Sequence, residues 1–160
     1  MRIQFGGALV VQASEKWLTE IKAKRGFVMG GITPASVGNY SCLQLKNPAG
    51  SGKVALIRSL LVAQDPISQV GVIPYDTDLT TDIGAGVNLW LAGPAGVCHV
   101  RSEVNGGLVG VPPVRLLTPA YTITNLSPEW SFALDPGKGL AVCAWSVNVN
   151  VTATFLWNEY

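Results

Sequence analysis

The last third of the chain constrains its fold more than any other stretch. From Ala120 to Tyr160 short apolar and polar residues alternate, interrupted by the turn cluster Asp135-Pro136-Gly137-Lys138-Gly139. Proline presets one turn dihedral and glycine admits positive φ, so the cluster has the signature of a β-hairpin turn. The chain then ends on a run of period two. Val149, Val151, Ala153, Phe155 and Trp157 take one face, while Asn148, Asn150, Thr152, Thr154 and Asn158 take the other. Leu156 alone breaks the pattern. Such a strand packs one face on a core and shows the other to water.

The earlier chain gives more short strands. Residues 3–12 read as a strand rich in Gly and Val. Residues 14–25 fit two patterns. Ser14 could cap a helix with Trp17, Leu18 and Ile21 on one face, or Trp17, Thr19, Ile21 and Ala23 could alternate against Glu20, Lys22 and Lys24 as a strand. The β character of the rest of the chain favours the strand. Gly26 to Asn39 holds four glycines and a proline and reads mostly as loop. Tyr40 to Lys46 alternates cleanly, Asn47 to Lys53 reads as a long hairpin turn, and Val54 to Ala63 reads as a strand in preference to a buried helix. Residues 65–89 are turn-rich around a short apolar piece, Val70 to Ile73. Further short strands are expected at Leu89 to Leu91, Val97 to Arg101, Val114 to Leu117 and Tyr121 to Thr124. Roughly ten strands, with turns about every 8–12 residues, predict an all-β chain. The expected architecture is a single antiparallel β-sandwich over residues 1–160, jelly-roll-like, with 1–25 forming either its first strands or an N-terminal arm that reaches a neighbour.

Charge narrows the function classes. Charged residues make up 13% of the chain, against about 25% in soluble domains. The net charge is +1 and the mean hydropathy +0.33. A surface so neutral tends to be buried against something, which predicts a homo-oligomer or part of a larger assembly. A membrane span is opposed by the pattern. The longest uncharged run, Ile83 to Val100, contains Gly84, Gly86, Gly93, Pro94 and Gly96 and has no helical continuity. Nucleic acid would require a basic stripe, and the one cluster, Lys22, Lys24 and Arg25, reads as a solvated strand end. Cys42, Cys98 and Cys143 are odd in number, widely spaced and without a CxxC, so each reads as a buried free thiol in a reducing folding compartment. The apolar stretch Phe5 to Val11 is too short and glycine-interrupted to read as a signal peptide, and without secretion the triplets at Asn39, Asn125 and Asn150 carry no glycosylation meaning.

Each chemical motif meets a plainer reading. Gly50-Ser51-Gly52-Lys53 resembles the end of a phosphate-binding loop, but Asn47 stands where the first glycine should be and Val54 follows the lysine. His99 is the only histidine, and its neighbour Cys98 must point to the opposite face of a strand, so the two form no catalytic pair. Asp76, Asp78 and Asp82 form the only acidic cluster, without the spacing or the later Glu of an EF-hand loop; local turn hydrogen bonds are the plainer role. Trp17, Trp90, Trp130, Trp145 and Trp157 could stack on sugars, although aromatics in alternating runs mostly pack in cores. No catalytic, cofactor-binding or metal-binding residue is therefore expected, and no cofactor.

Two stretches resemble structural proteins of tailed bacteriophages. Leu43-Gln44-Leu45-Lys46-Asn47-Pro48-Ala49-Gly50-Ser51-Gly52-Lys53 is similar to a hairpin common among them. Leu134-Asp135-Pro136-Gly137-Lys138-Gly139-Leu140-Ala141-Val142, followed by Phe155-Leu156-Trp157-Asn158-Glu159, is similar to a pair of strands near their C-termini. The resemblance covers roughly 40–64 and 128–159. It implies a small β-sandwich virion protein of the capsid-decoration (cement) type: non-catalytic, homotrimeric, bound to the major capsid protein on the capsid surface, and made in the host bacterial cytoplasm. A fibre or tail-tip domain that binds a host-surface glycan is the alternative it implies. A β-sandwich hydrolase is the third class, opposed by the lone His99 and the lack of a paired-acid motif.

Overall fold

A computed structural model describes residues 18–90, 92–107, 110, 112, 114–119, 122–125 and 132–160. A helical stretch at residues 18–22 precedes β1 (Gly26–Thr33), β2 (Tyr40–Lys46), β3 (Ala55–Asp65), β4 (Ser68–Pro74), β5 (Thr81–Ala85) and β6 (Val87–Asn88). The remaining strands are β7 (His99–Asn105), β8 (Val114–Thr118), β9 (Thr124–Asn125), β10 (Phe132–Leu134), β11 (Gly139–Ala144) and β12 (Asn150–Glu159).

These strands form two antiparallel sheets. The first has the order β10-β3-β12-β1-β6, with β9 also pairing β3, and the second the order β5-β7-β2-β11-β4-β8. Without the segment β5 to β7, four strands (β1-β12-β3-β10) face four others (β2-β11-β4-β8). The chain changes sheet at each step from β1 to β4 and again from β10 to β12. That alternation is the jelly-roll form of the β-sandwich, as expected. The segment β5 to β7 widens both sheets at the β1/β2 side.

The terminal strand behaves as its period predicts. Val151, Ala153, Phe155 and Trp157 are fully buried between the sheets, with Leu43, Leu45, Leu60, Val62, Val70, Val72, Leu140 and Val142. Trp157 stacks on Phe27 with ring centroids 5.9 Å apart. Leu156 falls on the outer face, at a register irregularity between β12 and β3.

Several expectations are corrected. Gly26 to Thr33 is not loop: β1 pairs with β12 along its whole length. Its glycines serve packing rather than turning, since a Cβ on Gly31 would lie 2.5 Å from Ile83 Cδ1 and one on Gly30 2.6 Å from Thr154 Oγ1. Residues 18–22 are helical, not strand, and just after them Lys24 O accepts from Asn88 Nδ2 and Arg25 O from Glu159 N, which joins residues 24 and 25 to the domain. The segments 47–53 and 135–139 are turns, but neither is a hairpin, because each connects one sheet to the other. β5 occupies part of the stretch expected to be turns, and the strand expected at 89–91 has ended by Asn88, with Leu91 outside the described residues.

The cysteine reading also changes. Cys42 and Cys143 are not free thiols; they form a disulfide across a sequence separation of 101 residues. β2 and β11 are neighbours, and their register sets Cys42 directly opposite Cys143. Cys98 is a buried free thiol.

Candidate functional site

The second sheet has an unusual outer face. β2 and β11 are buried on both sides, so something must cover them. The cover is the β4–β5 connection, whose Leu79 is fully buried against Cys42, Ile73, Ala141 and Cys143. Polar side chains of β2 hold it there. Buried Gln44 donates from Nε2 to Tyr75 O (2.7 Å) and Thr77 O (2.9 Å), and its Oε1 accepts from Leu79 N (3.1 Å). Lys46 donates to Gly137 O (2.9 Å) and to Asp76 O. Backbone groups that a loop would otherwise leave unpaired under the sheet are thereby satisfied.

The acidic cluster lies on this cover and at the start of β5. Its three carboxylates face cations rather than one another. Asp76 pairs with Lys138 at 2.7 Å, Asp78 with Lys46 at 3.3 Å and Arg101 at 3.6 Å, and Asp82 with Arg101 at 3.6 Å and His99 Nδ1 at 2.9 Å. Arg101 Nε also donates to Leu79 O at 2.7 Å. The network anchors the cover. Among the described residues no group of three His, Cys, Asp or Glu side chains is placed to hold a metal ion.

Lys138 and the Gly139 N–H hold the Asp76 carboxyl below its ordinary value, and Asp76 in turn raises the Lys138 ammonium. A depressed carboxyl contributes stability above its unfolded pKa and loses it as pH falls through the folded one. Lys138→Ala is accordingly expected to move the Asp76 midpoint, followed by carboxyl NMR, up toward the ordinary value of about 3.9. An unmoved midpoint would mean that this ion pair does not persist in solution.

His99 and Cys98 diverge as strand geometry requires. Cys98 faces the core, while His99 is 37% exposed on the charged face. Burial, together with the neighbouring Glu159 carboxylate, pushes the Cys98 thiol up. It is therefore a poor nucleophile, since reactivity belongs to the thiolate.

Lys53, the lysine of the phosphate-loop look-alike, leads within two residues to strand β3 rather than to the helix a phosphate site requires. Its Nζ lies 3.3 Å from Glu159 Oε2. The Glu159 side chain is fully buried, and its Oε1 accepts from Val97 N (2.8 Å), Cys98 N (3.2 Å) and Trp157 Nε1 (3.1 Å). This carboxylate is the polar centre that sequence reasoning missed. The signal was present, because Glu159 shares the inward phase of Phe155 and Trp157.

Trp157 belongs to the core, whereas Trp90 is 42% exposed. Trp145 is partly exposed and lies under the Arg115 guanidinium, 3.9 Å from its ring centroid. Trp17 and Trp130 lie outside the described residues. A groove of about 290 Å³ lined by Pro74, Asp76, Phe132 and Lys138 contains the Asp76–Lys138 pair but brings no nucleophile beside a base.

Comparisons with protein families, with curated proteins and with solved structures find no match. No helix among the described residues is long and apolar enough to cross a membrane.

Proposed function

We propose that this chain is a non-catalytic structural protein of a tailed-phage virion that decorates and stabilises the capsid. In this reading it is a homotrimer bound to the major capsid protein. The observation that carries the proposal is the outer face of the first sheet. Register aligns Val87, Val28 and Leu156 in one row, Gly30, Thr154 and Leu61 in the next, and Ile32, Thr152 and Ala63 in a third. These rows hold no charge. Val87 is 55% exposed and Ile32 61%. A neutral, partly apolar sheet face of this kind suits burial against a neighbour. The carboxylates of Asp76, Asp78, Asp82 and Glu159 are engaged in anchoring, which suits a scaffold better than an enzyme.

Size-exclusion chromatography with light scattering is expected to give a trimer. Co-sedimentation with capsids lacking the protein is expected to show binding and a raised capsid melting temperature, because a ligand of the assembled state stabilises that state. A monomer without affinity for capsids would overturn the proposal. Exposed Trp90 favours a second reading, a fibre or tail-tip module that binds a glycan. Specific glycan binding abolished by Trp90→Ala would select it.

A further inference from the structure

We propose that the β4–β5 connection is the gate of a redox switch: it lifts off the folded second sheet to admit a dithiol to the Cys42–Cys143 bond, and reduction of that bond in turn favours the lifted state. This goes beyond the virion reading and stands independently of it.

The bond has one route to solvent. β2 lies between β7 and β11, and β11 between β2 and β4, so hydrogen-bonded strands close the approach within the sheet. Leu43, Leu45, Leu140 and Val142 point into the core between the sheets. Cys42, Ala141 and Cys143 alternate with them and so point outward. Both cysteines are nevertheless 0% exposed. Residues 75–80 close that outward route. Gly110 and Pro112 flank it: a Cβ on Gly110 would lie 3.1 Å from Ile73 Cγ2, and one on Gly71 2.9 Å from Pro112 Cβ.

The closure over the sulfurs is thin. Residues 75–80 lie outside any strand, and of residues 76–80 only Leu79 is buried. Leu79 packs in one cluster with Cys42, Ile73, Ala141 and Cys143. Side chains hold its backbone on both sides, Gln44 Oε1 accepting from its N–H at 3.1 Å and Arg101 Nε donating to its C=O at 2.7 Å. The ion pairs of Asp76 and Asp78 add little, because both carboxylates are exposed and water screens them. Lifting the connection uncovers one large apolar side chain and breaks a few side-chain bonds, whereas unfolding the sandwich uncovers its whole core. Segments held in this way open at free energies below that of global unfolding.

The chemistry couples the bond to the gate. A thiolate of the dithiol attacks one sulfur, the S–S bond breaks, and the other sulfur leaves as a thiolate that takes up a proton. The second thiol of the reductant then displaces the remaining protein sulfur. Two electrons and two protons pass to the protein, and the reductant closes to a cyclic disulfide. Two thiols need more room than one disulfide, because unbonded sulfurs separate to van der Waals contact. In the close-packed site under Leu79 that added volume destabilises the closed connection. Reduction therefore favours opening, and by linkage opening favours reduction by the same factor.

Reduction of the folded full chain by dithiothreitol, quenched by alkylation and read by mass, tests the gate. At urea concentrations well below the unfolding transition the rate is expected to stay nearly constant, because local opening exposes little surface. Leu79→Ala is expected to speed reduction by about 30-fold or more. Val62→Ala weakens the core between the sheets without touching the connection, and is expected to change the rate by less than about 3-fold. A rate that climbs with urea as steeply as global unfolding, equal acceleration in the two variants, or three free thiols before any reductant is added would overturn the proposal. Should Leu79→Ala fail to fold, the urea dependence of the parent decides. Amide exchange at Leu79, compared between oxidised and reduced protein, tests the coupling. Exchange roughly 10-fold faster after reduction, with Val142 in β11 still protected, supports the switch; equal exchange in the two states would overturn it.

Discussion

Replacing Cys42 and Cys143 together by alanine is expected to lower the unfolding free energy by about 2–5 kcal/mol. The disulfide closes a loop of 101 residues. A chain-entropy model assigns about 4.7 kcal/mol to a loop of that size, as a restriction of the unfolded chain. The bond also lies under the cover, in contact with Leu79, Ile73 and Ala141, so alanine leaves unfilled space there. Urea unfolding of the parent, with and without reductant, checks this. Reductant should lower the parent midpoint toward that of the double variant, stopping short of it by the cost of the unfilled space, and leave the variant unmoved. Without reductant, thiol labelling should modify Cys98 alone, and only once the protein is unfolded, since the Cys98 thiol is buried. A parent midpoint indifferent to reductant, with all three thiols labelled, would show that the bond is absent.

The disulfide changes what the cysteines imply. Counting alone favours free thiols in a reducing compartment, yet disulfides persist where conditions are oxidising. A capsid surface released from its host meets such conditions. The proposed location and the bond are therefore compatible, whereas the inference from cysteine number no longer stands.

Local pattern makes much of the fold legible. Period two in residues 149–157 identifies the buried face of β12, and clean alternation in 40–46 identifies β2. What stays hidden depends on contacts between residues far apart in the chain. The glycines of β1 resemble a loop until Thr154, Ile83 and Leu43 are seen against them. The turns at 47–53 and 135–139 carry hairpin chemistry, but turn residues specify a reversal and not the sheet in which the next strand lies. Cys42 and Cys143 meet only because β11 returns beside β2. The acidic cluster is visible in the sequence, while its cations come from β2, β7 and the 135–139 turn, which nothing local connects to it.

Glu159 carries the second large expectation: Glu159→Ala should destabilise the fold by about 3–5 kcal/mol. The residue is 2% exposed, and one of its oxygens serves the Val97 and Cys98 N–H groups and the Trp157 indole. Alanine leaves these donors without that acceptor in a site closed to water, where each lost bond costs the desolvation of its group. Glu159→Gln keeps an acceptor oxygen of the same reach and turns its amide toward Lys53, so a smaller loss of about 1–2 kcal/mol is expected. Lys53→Met removes a partner whose side chain is 44% exposed, and solvent screening limits that loss to about 1 kcal/mol. Chemical denaturation of the three variants, followed by Trp fluorescence, gives the order. A ranking of alanine over glutamine over Lys53→Met assigns the stabilisation to acceptor geometry under the 95–98 segment. Glutamine as damaging as alanine would instead assign it to the negative charge. In either case the inward-facing acid of β12 ties the C-terminal strand to the segment leading into β7, and thereby holds together the two sheets of the jelly roll at that end.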